Sequence, residues 1–160
     1  MDLAGLRVRC ALGRGGVTLA SQKCEGDGST PAGVWPIRKV LYRPDRGPAP
    51  VTRLPMQPLG LHDGWCDAPV DDCYNEPVRL PYAASAEPLW RDEAVYDRIV
   101  ILGYNDAPVV PGAGSAIFLH LKREDYRPTE GCVALSPTDL DRFFSLAGPG
   151  DALAISLNSG

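Results

Sequence analysis

No stretch of this sequence approaches the roughly 20 consecutive apolar residues of a membrane-spanning helix, so no membrane span is expected. The opening Met-Asp-Leu-Ala-Gly-Leu-Arg-Val-Arg-Cys lacks a positively charged segment followed by an apolar run, and no signal peptide is visible in the chain. Positive charge is not in excess either. Lys and Arg number 16 against 20 Asp and Glu, the formal net charge is −4, and none of the charge runs is basic. A surface that tracks nucleic-acid phosphates needs a cationic stripe, so nucleic acid is not an expected partner. Internal repeats and low-complexity tails are also missing.

Turn-forming residues, by contrast, are plentiful. Seventeen glycines and sixteen prolines among 160 residues exceed the usual shares of about 7% and about 5%, which points to strands and turns and away from helical bundles. A chain of this length buries about 70% of its unfolded surface and holds a core without staples, so residues 1–160 read as a single domain.

Hydrophobic periodicity places the elements. Leu6 to Leu12 alternates apolar and charged residues and reads as a strand, with Val17 to Ala20 returning as the second arm of an antiparallel hairpin. Val34 to Tyr42 reads as a strand in which Pro36 forces a sheet edge or a bulge. Tyr96 to Tyr104 carries Ile-Val-Ile-Leu and reads as a central strand buried on both faces. Ala116 to Leu121 places Ala116, Phe118 and His120 on one face and Ile117, Leu119 and Leu121 on the other. Ser136-Pro137-Thr138-Asp139 is a cap, a first-position proline and an acidic third residue. It opens a helix whose stripe is Leu140, Phe143, Phe144 and Ala147, stopped by Gly148-Pro149. Asp151 to Leu157 closes as a strand. The expected fold is mainly β, mostly antiparallel, with one firm helix and long Pro-rich loops.

Residues 43 to 93 hold most of the prolines and little periodicity. Ordered loops this long are usually functional, so this segment is the expected wall of a substrate cleft. Within it Trp65 and Tyr74 are suited to stack on a sugar or line a peptide groove, and Asn75 to bond a substrate amide. Cys66 and Cys73 leave three readings open: a short-loop disulfide, a zinc site with His62 at looser spacing than usual, or two reduced thiols. Five cysteines are an odd number, so at least one is unpaired within the chain.

The most informative stretch is Ser115 to Leu135. An apolar run delivers His120 at its end, a charged loop with Pro128 follows, and Thr129-Glu130-Gly131-Cys132 leads into a second apolar piece. A free thiol has a pKa of about 8.5 and needs a nearby imidazole to become a useful nucleophile. His120 is placed to serve Cys132 in that way. Gly131 allows a tight turn and close approach of a substrate carbonyl, with the Gly131 and Cys132 amides as a candidate oxyanion hole. Acyl transfer is the reaction class that these parts suit.

His120, the loop, Thr129, Gly131 and Cys132 resemble the signature of the YkuD-type L,D-transpeptidases, cysteine enzymes that cross-link bacterial peptidoglycan. The upstream Gly26-Asp27-Gly28-Ser29-Thr30-Pro31-Ala32-Gly33-Val34-Trp35 is similar to that family's segment before its first long strand. The resemblance implies a β-sandwich, Cys132 as nucleophile and His120 as base, with the Leu121 carbonyl orienting the imidazole. It also implies a peptidoglycan stem peptide as substrate, no metal or organic cofactor, and a periplasmic or cell-envelope location. Thr129 and Glu130 then stand among the substrate-binding residues beside Trp65, Tyr74 and Asn75. The sequence departs from the family pattern in having Glu130 where a second histidine is usual, Ala134 where many members have arginine or asparagine, and a shorter gap from His120 to Cys132.

The first reading is therefore a transpeptidase. The alternatives are an L,D-carboxypeptidase or other peptidoglycan hydrolase using the same Cys-His pair, and a peptidoglycan-binding module without turnover. Glu130 is expected to pair with His120 and favour imidazolium, which would give Cys132 an appreciable thiolate fraction at neutral pH. The sequence carries no signal for an oligomeric state.

Overall fold

The computed structural model describes residues 1–157. In chain order it contains β1 (Asp2–Leu3), β2 (Leu6–Arg7), β3 (Val17–Leu19), β4 (Thr30–Tyr42), β5 (Met56–Pro58) and β6 (Asp63–Cys66). Then come β7 (Pro77–Arg79), β8 (Ala86–Pro88), β9 (Arg98–Leu102), β10 (Phe118–Leu121), β11 (Val133–Leu135), α1 (Pro137–Leu146) and β12 (Ala152–Ile155). The architecture is mainly β with one α-helix and has the layered form of a sandwich.

The main sheet runs β11-β10-β9-β4-β12, with β3 and β5 each pairing along β4. Its two faces are both covered. On one, Val40, Val100, Leu119 and Leu135 pack with Leu140, Phe143 and Phe144 of α1. On the other, Leu41, Ile99, Ile101 and Phe118 pack with Trp65, Leu89, Val95, Tyr96 and Cys132. Alternation along β9 and β10 is what splits one apolar run between two cores. Leu119 faces the helix, whereas Phe118 meets the rings of Trp65 and Tyr96 edge-on.

The helix forms where its signals place it. Ser136 Oγ accepts from the Asp139 amide at 3.1 Å, Pro137 takes the first turn, and Leu140, Phe143, Phe144 and Ala147 are buried. Because α1 follows β11 without a loop, its burial anchors the strand that leaves Cys132. The bulge expected near Pro36 falls between Ile37 and Lys39, where the β4–β9 register shifts.

Strand pairing is mostly antiparallel, as expected, with β10–β11, β3–β4 and β4–β5 as the parallel pairs. Two expectations need correction. The hairpin of 6–12 with 17–20 does not form: β2 folds back on β1, and β3 runs parallel to Thr30–Ala32. What claims residues 11–14 is the segment from Thr129 to Ala134. Ala11 and Ala134 exchange both backbone bonds at 2.9 Å, Thr129 N donates to Leu12 O, and Arg14 N donates to Thr129 O. A long-range ladder replaces the local turn, and Gly13 permits its close course past the Gly28 carbonyl, where any Cβ would collide. Lastly, the Pro-rich 43–93 segment is not merely loop. It contains a three-stranded antiparallel sheet, β7-β6-β8, whose strands of 3–4 residues are too short to show a period.

Leu140 is fully buried between α1 and the sheet. Replacing it with Ala should cost about 2–5 kcal/mol, and Ser136→Ala about 1 kcal/mol. Urea unfolding followed by circular dichroism checks both, and equal small losses for the two would contradict this placement of the helix.

Candidate active site

β10 and β11 lie side by side in parallel, with His120 opposite Ala134. That pairing brings the end of the loop, and with it Cys132, alongside the start of β10. Cys132 Sγ accepts from the Phe118 amide at 3.4 Å and donates to the Ala116 carbonyl at 3.1 Å. The thiol is therefore held as S–H. His120 Nδ1 lies 2.8 Å from the Leu121 carbonyl. A carbonyl only accepts, so Nδ1 carries the ring proton and Nε2 keeps its lone pair, the tautomer that a base requires. The ring of Tyr96 packs edge-on against the imidazole at 5.3 Å.

His120 and Cys132 line one cavity of about 460 Å³. A larger hollow of about 610 Å³ lies elsewhere, between the N-terminal residues, α1 and β12, and contains neither. In the first, Glu25, Asp67, Glu87, Arg91, Tyr96, Arg123, Arg127 and Glu130 supply nearly all the polar lining beside the pair.

Burial dominates the electrostatics. It pushes the His120 imidazole down to about 4, the Leu121 hydrogen bond opposing and Arg123 and Arg91 adding to the drop. It pushes the Cys132 thiol up to about 12, with the Glu87 charge adding to the rise. The resting pair is neutral thiol and neutral imidazole, not the thiolate and imidazolium expected from the sequence.

Glu130 does not pair with His120. Its carboxylate is exposed and meets Arg14 Nε at 2.9 Å, because the chain turns at Gly131 and directs the preceding side chain outward. Gly131 has φ +133°, and a Cβ there would stand 2.9 Å from the Ser29 carbonyl oxygen. Thr129 staples this turn: its buried hydroxyl donates to the Cys132 carbonyl at 2.6 Å and accepts from the Gly131 amide at 3.2 Å. The Gly131 N–H is thus engaged, while the Cys132 N–H has no hydrogen-bond partner among the described residues.

Trp65, Tyr74 and Asn75 are buried. Asn75 uses its whole amide internally. Oδ1 accepts from Trp65 Nε1 at 2.9 Å and from the Ala116 amide at 3.0 Å, and Nδ2 donates to the Tyr104 and Asn105 carbonyls. The Tyr74 hydroxyl donates to Glu25 and accepts from the Gly114 amide at 3.0 Å. These three residues support the segment whose Ala116 carbonyl receives the thiol proton.

Cys66 and Cys73 are free, as are the other three cysteines, and no group of three or more metal-ligating side chains occurs among the described residues. Glu87, Arg91 and Tyr96 escaped the sequence reading. Glu87 Oε1 accepts from the Tyr96 hydroxyl at 2.8 Å and from Arg91 Nη2, and the Arg91 guanidinium lies 4.5 Å from the Tyr96 ring centre. A Glu and an Arg four residues apart in a Pro-rich stretch carry no periodic signal. Only folding makes them a unit.

The YkuD family model, described as L,D-transpeptidase catalytic domain, matches residues 3–155. No curated protein and no solved structure matches the chain.

Two outcomes test this geometry. With iodoacetamide and peptide mapping, modification of Cys132 should rise about tenfold per pH unit from pH 7 to 10 without a plateau, because an ordinary thiol levels off near 8.5 but this one does not. Glu130→Gln should leave that profile unmoved, and a plateau below pH 9 would mean a preformed ion pair. Asn75→Asp, which removes two donors from buried carbonyls, should cost several kcal/mol, at about 1–3 for each group left unpaired. Thermal unfolding measures it, and a change under 1 kcal/mol would contradict the network.

Proposed function

Because the chain belongs to the YkuD family of L,D-transpeptidase catalytic domains, we propose that it is a cysteine acyl transferase working on peptidoglycan stem peptides. What supports this reading most directly is the placement of His120 and Cys132. They line one cavity, His120 from β10 and Cys132 from the residue just before β11, with Nδ1 committed to the Leu121 carbonyl and Nε2 left free. Residues 1–160 act in it as one catalytic domain, and the substrate sets the place of work as the periplasm or cell envelope. No helix among the described residues is long and apolar enough to cross a membrane.

In the first half-reaction the Cys132 sulfur attacks the carbonyl carbon of the donor's terminal peptide bond as the thiol proton passes to His120 Nε2. The oxyanion that develops is met by the unengaged Cys132 N–H. The C–N bond then breaks, the leaving amine of the terminal D-amino acid takes the proton from His120, and a thioester remains. In the second half-reaction an acceptor amine attacks the thioester carbonyl, loses a proton to His120, and expels the sulfur, which is reprotonated. A neutral resting pair serves this cycle, since the proton moves only when the carbonyl is in place. Gly131 and Thr129 set the turn that presents the nucleophile. Glu130 contacts substrate at the cavity mouth, while Trp65, Tyr74 and Asn75 shape the wall from behind.

One observation favours a second reading: the thiol is buried and raised to about 12, as it would be in a peptidoglycan-binding module without turnover. Intact-mass measurement decides. The transferase should gain a single adduct on Cys132 from a carbapenem, and His120→Ala should slow that acylation by 100-fold or more, at the scale of a lost general base. Incubation with a stem tetrapeptide should give cross-linked product when an amine acceptor is present. Shortened peptide alone would identify a hydrolase, and no adduct with either reagent would leave the binding module.

A further inference from the structure

Four carboxylates and three guanidinium groups line the cavity that holds Cys132 and His120. Glu130 is taken by Arg14 and Arg123 by Glu93, and Arg127 bonds none of the other three carboxylates among the described residues, Glu25, Asp67 and Glu87. These three arrive from separate parts of the chain, the turn before β4, the residue after β6, and β8. They lie close enough to feel one another. Burial raises the Glu87 carboxyl, and the charges of Asp67 and Glu25 raise it further against the pull of Arg91.

Their internal partners fall short of their number. Arg91 is the one cation that bonds any of the three among the described residues, and it is held by Glu87. Glu25 is met by the Tyr74 hydroxyl and by the Gly26 amide at 3.2 Å. Asp67 has no ion pair among the described residues, and its Oδ1 is buried without a hydrogen-bond partner. Ser115 faces the same cavity. It is 8% exposed, and its hydroxyl lies against that of Tyr74 while its oxygen accepts from no donor. An acceptor left dry and unpaired is costly in a folded protein, and an orphan at a cleft calls for a donor from outside.

We infer that Glu25, Asp67, Glu87 and Ser115 form a subsite for a primary ammonium group on the donor peptide, beside the nucleophile. An ammonium carries three N–H donors and a full positive charge, which fits two surplus carboxylates and two unpaired oxygens. An acceptor amine must shed its charge in order to attack. A fixed acidic wall therefore suits a side-chain ammonium that stays charged throughout and serves only to register the peptide. The subsite rests on the proposal that the cavity takes a stem peptide, and it assigns that peptide's orientation.

Calorimetry on the Cys132→Ala chain, which binds without turnover, tests it. The probes are a stem tetrapeptide with lysine as its third residue and the same peptide acetylated on the lysine Nε. At pH 7 the free-amine peptide should bind about tenfold tighter, the scale of a charge-assisted hydrogen bond. Adding Asp67→Asn or Glu25→Gln should erode that preference while leaving the acetylated peptide's affinity unchanged, which also shows that the cavity is intact. Equal binding of the two peptides by the Cys132→Ala chain, or a preference that survives both further substitutions, overturns the ammonium subsite alone. If neither peptide binds, the stem-peptide reading falls and the subsite with it.

Discussion

A thiol and an imidazole line one cavity while both are buried, and the structure answers to that constraint throughout. Neither group bears charge at rest, so each must be satisfied by neutral partners, and the partners are main-chain atoms: Ala116 O and Phe118 N for the sulfur, Leu121 O for the ring. Main-chain groups cannot swing away, so positioning of the pair reduces to positioning of β10 and the turn into β11. The rest of the fold serves to hold those two. Ala11 and Leu12 clamp the turn from one side, α1 draws β11 into the helical core, and Asn75 fixes Ala116 through its amide.

Burial also sets the chemical character of the pair. In many thiol enzymes a positive neighbour keeps the sulfur ionised. Here desolvation outweighs Arg91 and Lys23, the cations that oppose it at Cys132. Burial thus keeps Cys132 as the neutral thiol, the form least open to oxidants and stray electrophiles that attack thiolates.

How much of this was readable in the chain depended on distance along it. The helix, its cap and stripe, the central Ile-Val-Ile-Leu strand and the alternating β10 follow from local rules, and the structure has them. That His120 and Cys132 come to one cavity was readable because only a short loop separates them. What failed was long-range. The hairpin of 6–12 with 17–20 looked sound locally, but Ala11 found Ala134 instead. Glu130 seemed destined for His120 by proximity in sequence, yet the left-handed turn at Gly131 throws it to Arg14. Trp65, Tyr74 and Asn75 were noticed as a dense group, but sequence does not distinguish a side chain that faces a cavity from one that supports its wall. Glu87, Arg91 and Ser115 went unseen because a buried charge announces itself only through its surroundings.

The loop from β10 to β11 has 11 residues, 122 to 132, between Leu121 and Val133. Parallel neighbours usually need a crossover of about a dozen residues or more, so this connection runs close to its geometric minimum. Asp125 and Tyr126 both take left-handed backbone angles within it, at φ 53° and 54°, as a chain must when it reverses with little length to spare. The same few residues carry Arg123, Arg127 and Glu130 to the rim of the cavity. A loop without slack can be lengthened but not shortened, so a change in what this rim reaches would have to come by insertion.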